Sequence, residues 1–218
     1  MNDAASARDS LGFWTLLGSD FAGKSTVLNT LHEDHDWRVV SYDDRYLGDH
    51  PLISRLRQHW IDDAFVWSGK RYSPELVLSV LHPIVLHLRD ELTRCAGHER
   101  LIVDSYFYKL LAKCRLLGVE HDPIFSYWRS FPRPKAVVYL DVPPEVAWAR
   151  SAQGSRLNPF EYHAVPALPE GFLRLQSEMR STVLEEVGSV PVTVVDGAAD
   201  PETVVAKVLA ALRTEAAR

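Results

Sequence analysis

Apolar and polar positions in this chain follow two different periods. Five short runs are nearly uninterrupted in apolar or β-branched side chains: Leu11–Leu17 (LGFWTLL), Trp37–Ser41 (WRVVS), Leu101–Asp104 (LIVD), Ala136–Val142 (AVVYLDV) and Val192–Gly197 (VTVVDG). Runs of this length without polar alternation predict strands covered on both faces, as in a parallel sheet. The segments between them show helical spacing. Val27, Leu28 and Leu31 follow Lys24, and Leu52, Ile53, Leu56, Trp60 and Ile61 lie on one side of a helix expected over His50–Phe65. Ser68-Gly69-Lys70-Arg71 breaks that helix. Ser73-Pro74-Glu75 starts the next, with serine as N-cap and proline at the first position. It carries Leu76, Leu81, Ile84, Leu88 and Leu92, with a kink or break expected near His82 because of Pro83, and Gly97 closes it.

Tyr106–Leu117 reads as a helix ended by Gly118, and His121–Phe131 as an irregular or helical piece. Pro143-Pro144-Glu145 opens another helix, residues 150–169 show little periodicity, and Gly171–Val187 is helical again. Asp200-Pro201-Glu202 caps a last helix containing Val204, Val205, Val208, Leu209 and Leu212. Strands alternating with helices give βαβ units and right-handed crossovers. The expected architecture is a single α/β domain over residues 1–218, three layers thick, around five parallel strands.

One stretch adds chemistry to this pattern. Gly18-Ser19-Asp20-Phe21-Ala22-Gly23-Lys24-Ser25-Thr26 matches G-x-x-x-x-G-K-S/T and lies between the first strand and the first helix. Glycines there let backbone N–H groups approach a polyphosphate, and the helix directs its positive dipole end at the anion. Lys24 would bridge the β- and γ-phosphates of a nucleoside triphosphate, and the Ser25 hydroxyl would sit on Mg²⁺. Asp104, at the tip of a fully apolar strand, needs a partner, and hydrated Mg²⁺ is a natural one.

Bulk composition narrows the alternatives. An apolar content of 46% with 24% charged residues is ordinary for a globular protein. A formal charge of −5 and the absence of a basic run argue against nucleic acid or anionic membrane as partners. Cys95 and Cys114 form no C-x-x-C pair, which fits a reducing compartment. No apolar leader and no span-length run occur, so a cytoplasmic location is the expectation. The histidines show no metal-ligand spacing, and His82 and His87 read as packing or surface residues. Most of Trp60, Phe65, Trp67, Tyr72, Tyr106 and Trp128 read as core, although any could stack on a ring.

The motifs GSDFAGKST, LIVDSY, VVYLDVPPEVAWAR and RSAQGSRLNPFE together resemble the thymidylate kinase-like branch of the P-loop nucleoside and nucleotide kinases, over almost the whole length. The resemblance implies sheet order 2-3-1-4-5, ATP and Mg²⁺ as cofactors, and an arginine-bearing lid at about residues 150–169. Arg150 and Arg156 fall where the lid arginines belong. Asp20 resembles the residue that contacts the acceptor's sugar hydroxyl, and Asp104 falls on the aspartate of the family's D-R-Y. Asp43 or Asp44 occupies the strand end where related deoxynucleoside kinases carry a glutamate as base. A homodimer is expected by the same analogy.

Two positions depart from that pattern. Asp104-Ser105-Tyr106 lacks the D-R-Y arginine, and Leu81-His82-Pro83 stands where a second phosphate-binding arginine is usual. Losing both guanidinium forks removes charge-assisted bonds to an acceptor phosphate. The expectation is therefore a kinase for a nucleoside or a related hydroxyl-bearing metabolite, with Arg45, Arg57 or Arg71 as possible substitutes at a phosphate. A thymidylate kinase-like nucleoside monophosphate kinase is the alternative, and a non-kinase P-loop ATPase or nucleotide-binding module a further one. Neither N-K-x-D nor D-x-x-G occurs where a GTPase would place it.

Overall fold

A computed structural model describes residues 12–59, 72–119, 121–162 and 169–216. Its five strands, β1 (Trp14–Gly18), β2 (Arg38–Val40), β3 (Leu101–Asp104), β4 (Ala136–Asp141) and β5 (Val192–Asp196), form one sheet. Their order is β2-β3-β1-β4-β5 and every pairing is parallel. The register sets Leu16 of the central strand beside Asp104 on one side and Val138 on the other. The carboxyl ends of β1 and β3 therefore share one edge, where open parallel sheets bind ligands.

The strands separate two apolar layers, as their lack of alternation requires. Phe13, Leu17, Leu101, Val103, Val137 and Tyr139 face one core, and Trp14, Leu16, Ile102, Val138 and Leu140 face the other. The first core is closed by α4 (Pro74–Arg94), α5 (Tyr106–Leu116) and α8 (Pro169–Val187). The second is closed by α1 (Lys24–Asp34) and α9 (Pro201–Ala216), with Phe172 of α8 reaching into it. Four shorter helices complete the connections: α2 (Asp44–Leu47), α3 (Pro51–His59), α6 (Asp122–Arg129) and α7 (Pro144–Arg150).

The caps behave as their chemistry dictates. Ser73 accepts from the Leu76 N–H at 3.2 Å, and Asp200 from the Thr203 N–H at 2.9 Å. Pro83 does not break α4, which runs unbroken from Pro74 to Arg94. Leu78, Leu81, Ile84, Val85 and Leu88 are all buried on either side of it, and that packing outweighs one lost backbone hydrogen bond. The expected His50–Phe65 helix is present as Pro51–His59, while residues 60–71, and with them Trp60, Phe65, Trp67 and Arg71, lie outside the described residues. Tyr106 and Trp128 are core residues. Both cysteines are free and buried. Among the described residues no helix is long and apolar enough to cross a membrane.

Leu16 and Leu17 are both fully buried, on opposite faces. Leu16→Ala and Leu17→Ala should therefore each cost about 2–5 kcal/mol in denaturant unfolding. A loss below about 0.5 kcal/mol at either, the size of an ordinary surface change, would mean that one face of the sheet is not covered.

Candidate active site

The loop after β1 is shaped by two glycines. A Cβ on Gly18 would lie 2.8 Å from the Leu140 carbonyl oxygen, so only glycine lets the loop start this close to β4. Gly23, at φ 93, turns the chain into α1 and leaves its first amides directed at the loop. Lys24 opens the helix, and its Nζ donates to the carbonyls of Gly18 (3.2 Å) and Ser19 (2.8 Å). Burial, then the neighbouring Lys109 ammonium, lowers the Lys24 pKa, with Asp104 and Asp20 opposing. Such an amine gains from an incoming polyanion. Ser25 and Thr26 are exposed on the same turn.

On one side of this loop is a cavity of about 200 Å³ bordered by Gly23, Thr26, Val27, Arg150, Ala199 and Pro201. Arg150 ends α7 with Nη1 4.0 Å from the position of a Gly23 Cβ. Arg156 is exposed, with its guanidinium 5.8 Å from the centre of the Phe21 ring. The backbone between these arginines is left-handed at Ala152, Gln153 and Gly154 (φ 53, 52 and 88). Ser151 pins it, donating to the Trp148 carbonyl and accepting from the Gly154 N–H at 2.9 Å. A Cβ on Gly154 would strike the Trp148 ring at 2.5 Å.

On the other side lies a second cavity of about 150 Å³, bordered by Asp20, Tyr42, Arg57, Lys109, Lys113 and Glu161 among others. Asp20 is only 6% exposed and is gripped on all sides. Lys109 Nζ stands 2.7 Å from Oδ1 and Lys113 Nζ 2.9 Å from Oδ2, both lysines being themselves about 95% buried. Gln176 of α8 donates to Oδ2 at 3.0 Å and accepts from the Asp20 N–H at 2.9 Å. Burial opposes the ionised carboxylate, but Lys109, Lys113 and Lys24 together hold it far below the usual range. Asp20 thus spends its acceptors on α5 and α8. Burial and the nearby Asp20 charge push Glu161 upward.

Asp104 ends β3 beside Leu16 of the central strand, close enough to Lys24 to favour its charged form. Its oxygens accept from the hydroxyls of Ser41 (3.1 Å) and Ser105 (2.9 Å) and meet no cationic partner at salt-bridge distance among the described residues. Ser105 and Tyr106 are both left-handed (φ 59 and 47), an uncommon state for non-glycine residues, so the turn that presents Asp104 is strained. Asp43 caps α2, accepting from the Arg45 N–H, and pairs with the Arg45 side chain at 3.0 Å. Burial would raise its pKa, but the Arg45 bonds win and lower it. Asp44 pairs with Arg57 at 3.0 Å. Both carboxylates sit at the end of β2 as expected, but each is neutralised by an arginine.

Lys109, Lys113 and Gln176 were not among the expected site residues. Tyr106–Cys114 is buried all round, lysines included, and a helix with no polar face is a buried one. Two lysines four residues apart in such a helix must meet a buried counter-charge. That was the available signal.

A parallel sheet in the order 2-3-1-4-5 with a glycine loop after its central strand defines the P-loop kinase fold. Solved structures of deoxyadenosine kinase from M. mycoides share it. The structure with bound dATP has a TM-score of 0.61 at 15% identity and covers 92% of this chain and 99% of that one. Those with the products dCMP and a flexible dCDP, and with dCTP, give TM-scores of 0.60 and 0.59 at 16% identity, covering 93% of this chain and 99% of theirs. No protein-family model and no curated protein matches the chain.

Asp20→Asn should destabilise the fold by about 3–5 kcal/mol, because it leaves two buried ammonium groups short of a counter-charge. In the native protein the Asp20 contribution is complete above about pH 4 and fades as acid approaches its depressed folded value. Urea melts between pH 7 and pH 2 should show a steep acid loss that Asp20→Asn flattens. Parallel acid limbs would mean that Asp20 carries no such charge.

Proposed function

We propose that this chain is an ATP- and Mg²⁺-dependent phosphotransferase that moves the γ-phosphoryl group to a hydroxyl of a nucleoside or a related small metabolite. The observation that carries the reading is one glycine loop whose residues line two cavities, Asp20 the one and Ala22 and Gly23 the other, with Lys24 held between the charges of Asp20, Asp104 and Lys109. The neighbours named as deoxyadenosine kinases support the same class of reaction.

In this reading residues 18–26 grip the triphosphate through their amides, and Lys24 leaves the Gly18 and Ser19 carbonyls for the β- and γ-phosphates. The donor's nucleoside lies in the cavity beside Arg150. Arg150 and Arg156 close over the phosphates and neutralise charge that builds up in the loose transition state. Exposed Ser25 and the Asp104 carboxylate, which has no salt-bridge partner among the described residues, are an oxygen donor set that would suit Mg²⁺, which when bound would offset charge on the transferring group. The acceptor enters the cavity floored by Asp20, Lys109 and Lys113, with Asp104 facing its hydroxyl. Asp43 or Asp44 would take a proton only on releasing Arg45 or Arg57.

A second reading has its own observation. The Arg57 Nε is buried without a partner among the described residues and borders the acceptor cavity, near two lysines that share one carboxylate. An acceptor phosphate, as in a thymidylate kinase-like monophosphate kinase, would satisfy it in place of the absent D-R-Y arginine.

ADP release with Mg-ATP should depend on acceptor in a panel of nucleosides, nucleoside monophosphates and hydroxylated metabolites. Lys24→Ala and Arg156→Ala should each cut turnover by on the order of 10²-fold or more without loss of fold. Acceptor-independent hydrolysis, or full turnover in Lys24→Ala, would remove the kinase reading. Arg57→Gln should raise KM for monophosphates only if the second reading holds.

A further inference from the structure

Away from the glycine loop, two histidines and a carboxylate converge. His50 precedes α3 and starts it, its carbonyl accepting from the N–H groups of Ile53 and Ser54. His87 and Glu91 lie one turn apart on α4, so both point the same way. His50 Nε2 stands 3.2 Å from Glu91 Oε1, and His87 Nδ1 3.9 Å from the same oxygen. The three ligand atoms lie within 4.8 Å of one another, and the two rings are 4.9 Å apart. Arg94 also touches Oε1.

A simple ion pair does not explain this crowding. Three nitrogen groups aim at one oxygen, yet Oε1 is buried and accepts no well-directed hydrogen bond among the described residues. The geometry suits a cation instead. Metal–nitrogen and metal–oxygen bonds of about 2.0–2.2 Å set tetrahedral ligand atoms roughly 3.3–3.6 Å apart, between the 3.2 and 3.9 Å that separate Glu91 Oε1 from His50 and His87. Two imidazoles with one carboxylate favour a borderline d-block ion over Mg²⁺, which prefers oxygen. His87 is buried and His50 is partly exposed, so one ligand is fixed and another can close on the ion while water fills the fourth position.

We propose that His50, His87 and Glu91 bind a borderline divalent cation, Zn²⁺ as the probe, in a three-ligand site that fastens the start of α3 to α4. The site is separate from the phosphoryl-transfer centre. It bears on that centre through α3, which carries Arg57 to the acceptor cavity. Arg94 is the resident competitor, and its side chain, 54% exposed, can leave for solvent when the ion arrives.

The test uses the full chain stripped with a chelator and titrated with Zn²⁺ against a chromophoric zinc indicator, in excess Mg²⁺ to fill oxygen sites. One equivalent should bind and raise the thermal midpoint, and Co²⁺ should give the strong visible bands of a four-coordinate site. His50→Gln and Glu91→Gln should weaken binding by on the order of 100-fold or more, beyond the 10- to 100-fold typical of losing an outer-shell partner. His50 is partly exposed, so its variant should keep the metal-free thermal midpoint. Arg94→Gln should tighten binding about two- to fivefold, the worth of one exposed ion pair. Absence of stoichiometric binding, or an affinity that His50→Gln leaves unchanged because other histidines hold the ion, would overturn the proposal.

Discussion

Asp20 and the two ammonium groups that hold it govern the rest of the structure. A carboxylate in the second position after Gly18 has been taken out of water, and in that setting an unpaired charge is worth several kcal/mol against the fold. Lys109, Lys113 and Gln176 come from α5 and α8, so the same contacts that stabilise the charge fasten the glycine loop to the helices over one face of the sheet. The Asp20 N–H bond to Gln176 fixes the backbone as well as the side chain. One rim of the loop is thereby made rigid, while the rim beside Arg150 stays open to a ligand.

Charge arithmetic then shapes what the loop attracts. Lys24, Lys109 and Lys113 meet at the loop with Asp20 fully engaged and Asp104 half-exposed between hydroxyls. A polyanion at the loop would relieve the repulsion between Lys24 and Lys109. The acids at the end of β2 are balanced separately by Arg45 and Arg57. The chain's net negative charge coexists with this cationic pocket because the excess acid lies elsewhere.

Much of this was legible in the residues, and the gaps have physical causes. The apolar runs placed all five strands within a few residues, because a strand buried on both faces cannot hide its composition. Ser73 and Asp200 announced their helices through cap chemistry. At Pro83 the local rule predicts a kink or a break, and α4 runs through without a break because its core packing overrides the lost hydrogen bond. Asp43 and Asp44 could be placed after β2, but pairing of Asp43 with Arg45 and Asp44 with Arg57 depends on side-chain geometry no pattern encodes. Lys109 and Lys113 belong to no motif, and a lysine pair at helical spacing usually means a solvated face. Only the topology brings α5 under Asp20. The His50–His87–Glu91 cluster escaped for a similar reason, its ligands being split between two elements 37 residues apart in sequence.

The charge state of Asp20 tests this account most directly. Following its ¹³Cγ chemical shift by NMR from pH 7 downward should show an ionised carboxylate through the ordinary range near pH 4, with no inflection there. An inflection at about pH 4 would mean an Asp20 free in solvent, and the glycine loop would not be anchored in the way described.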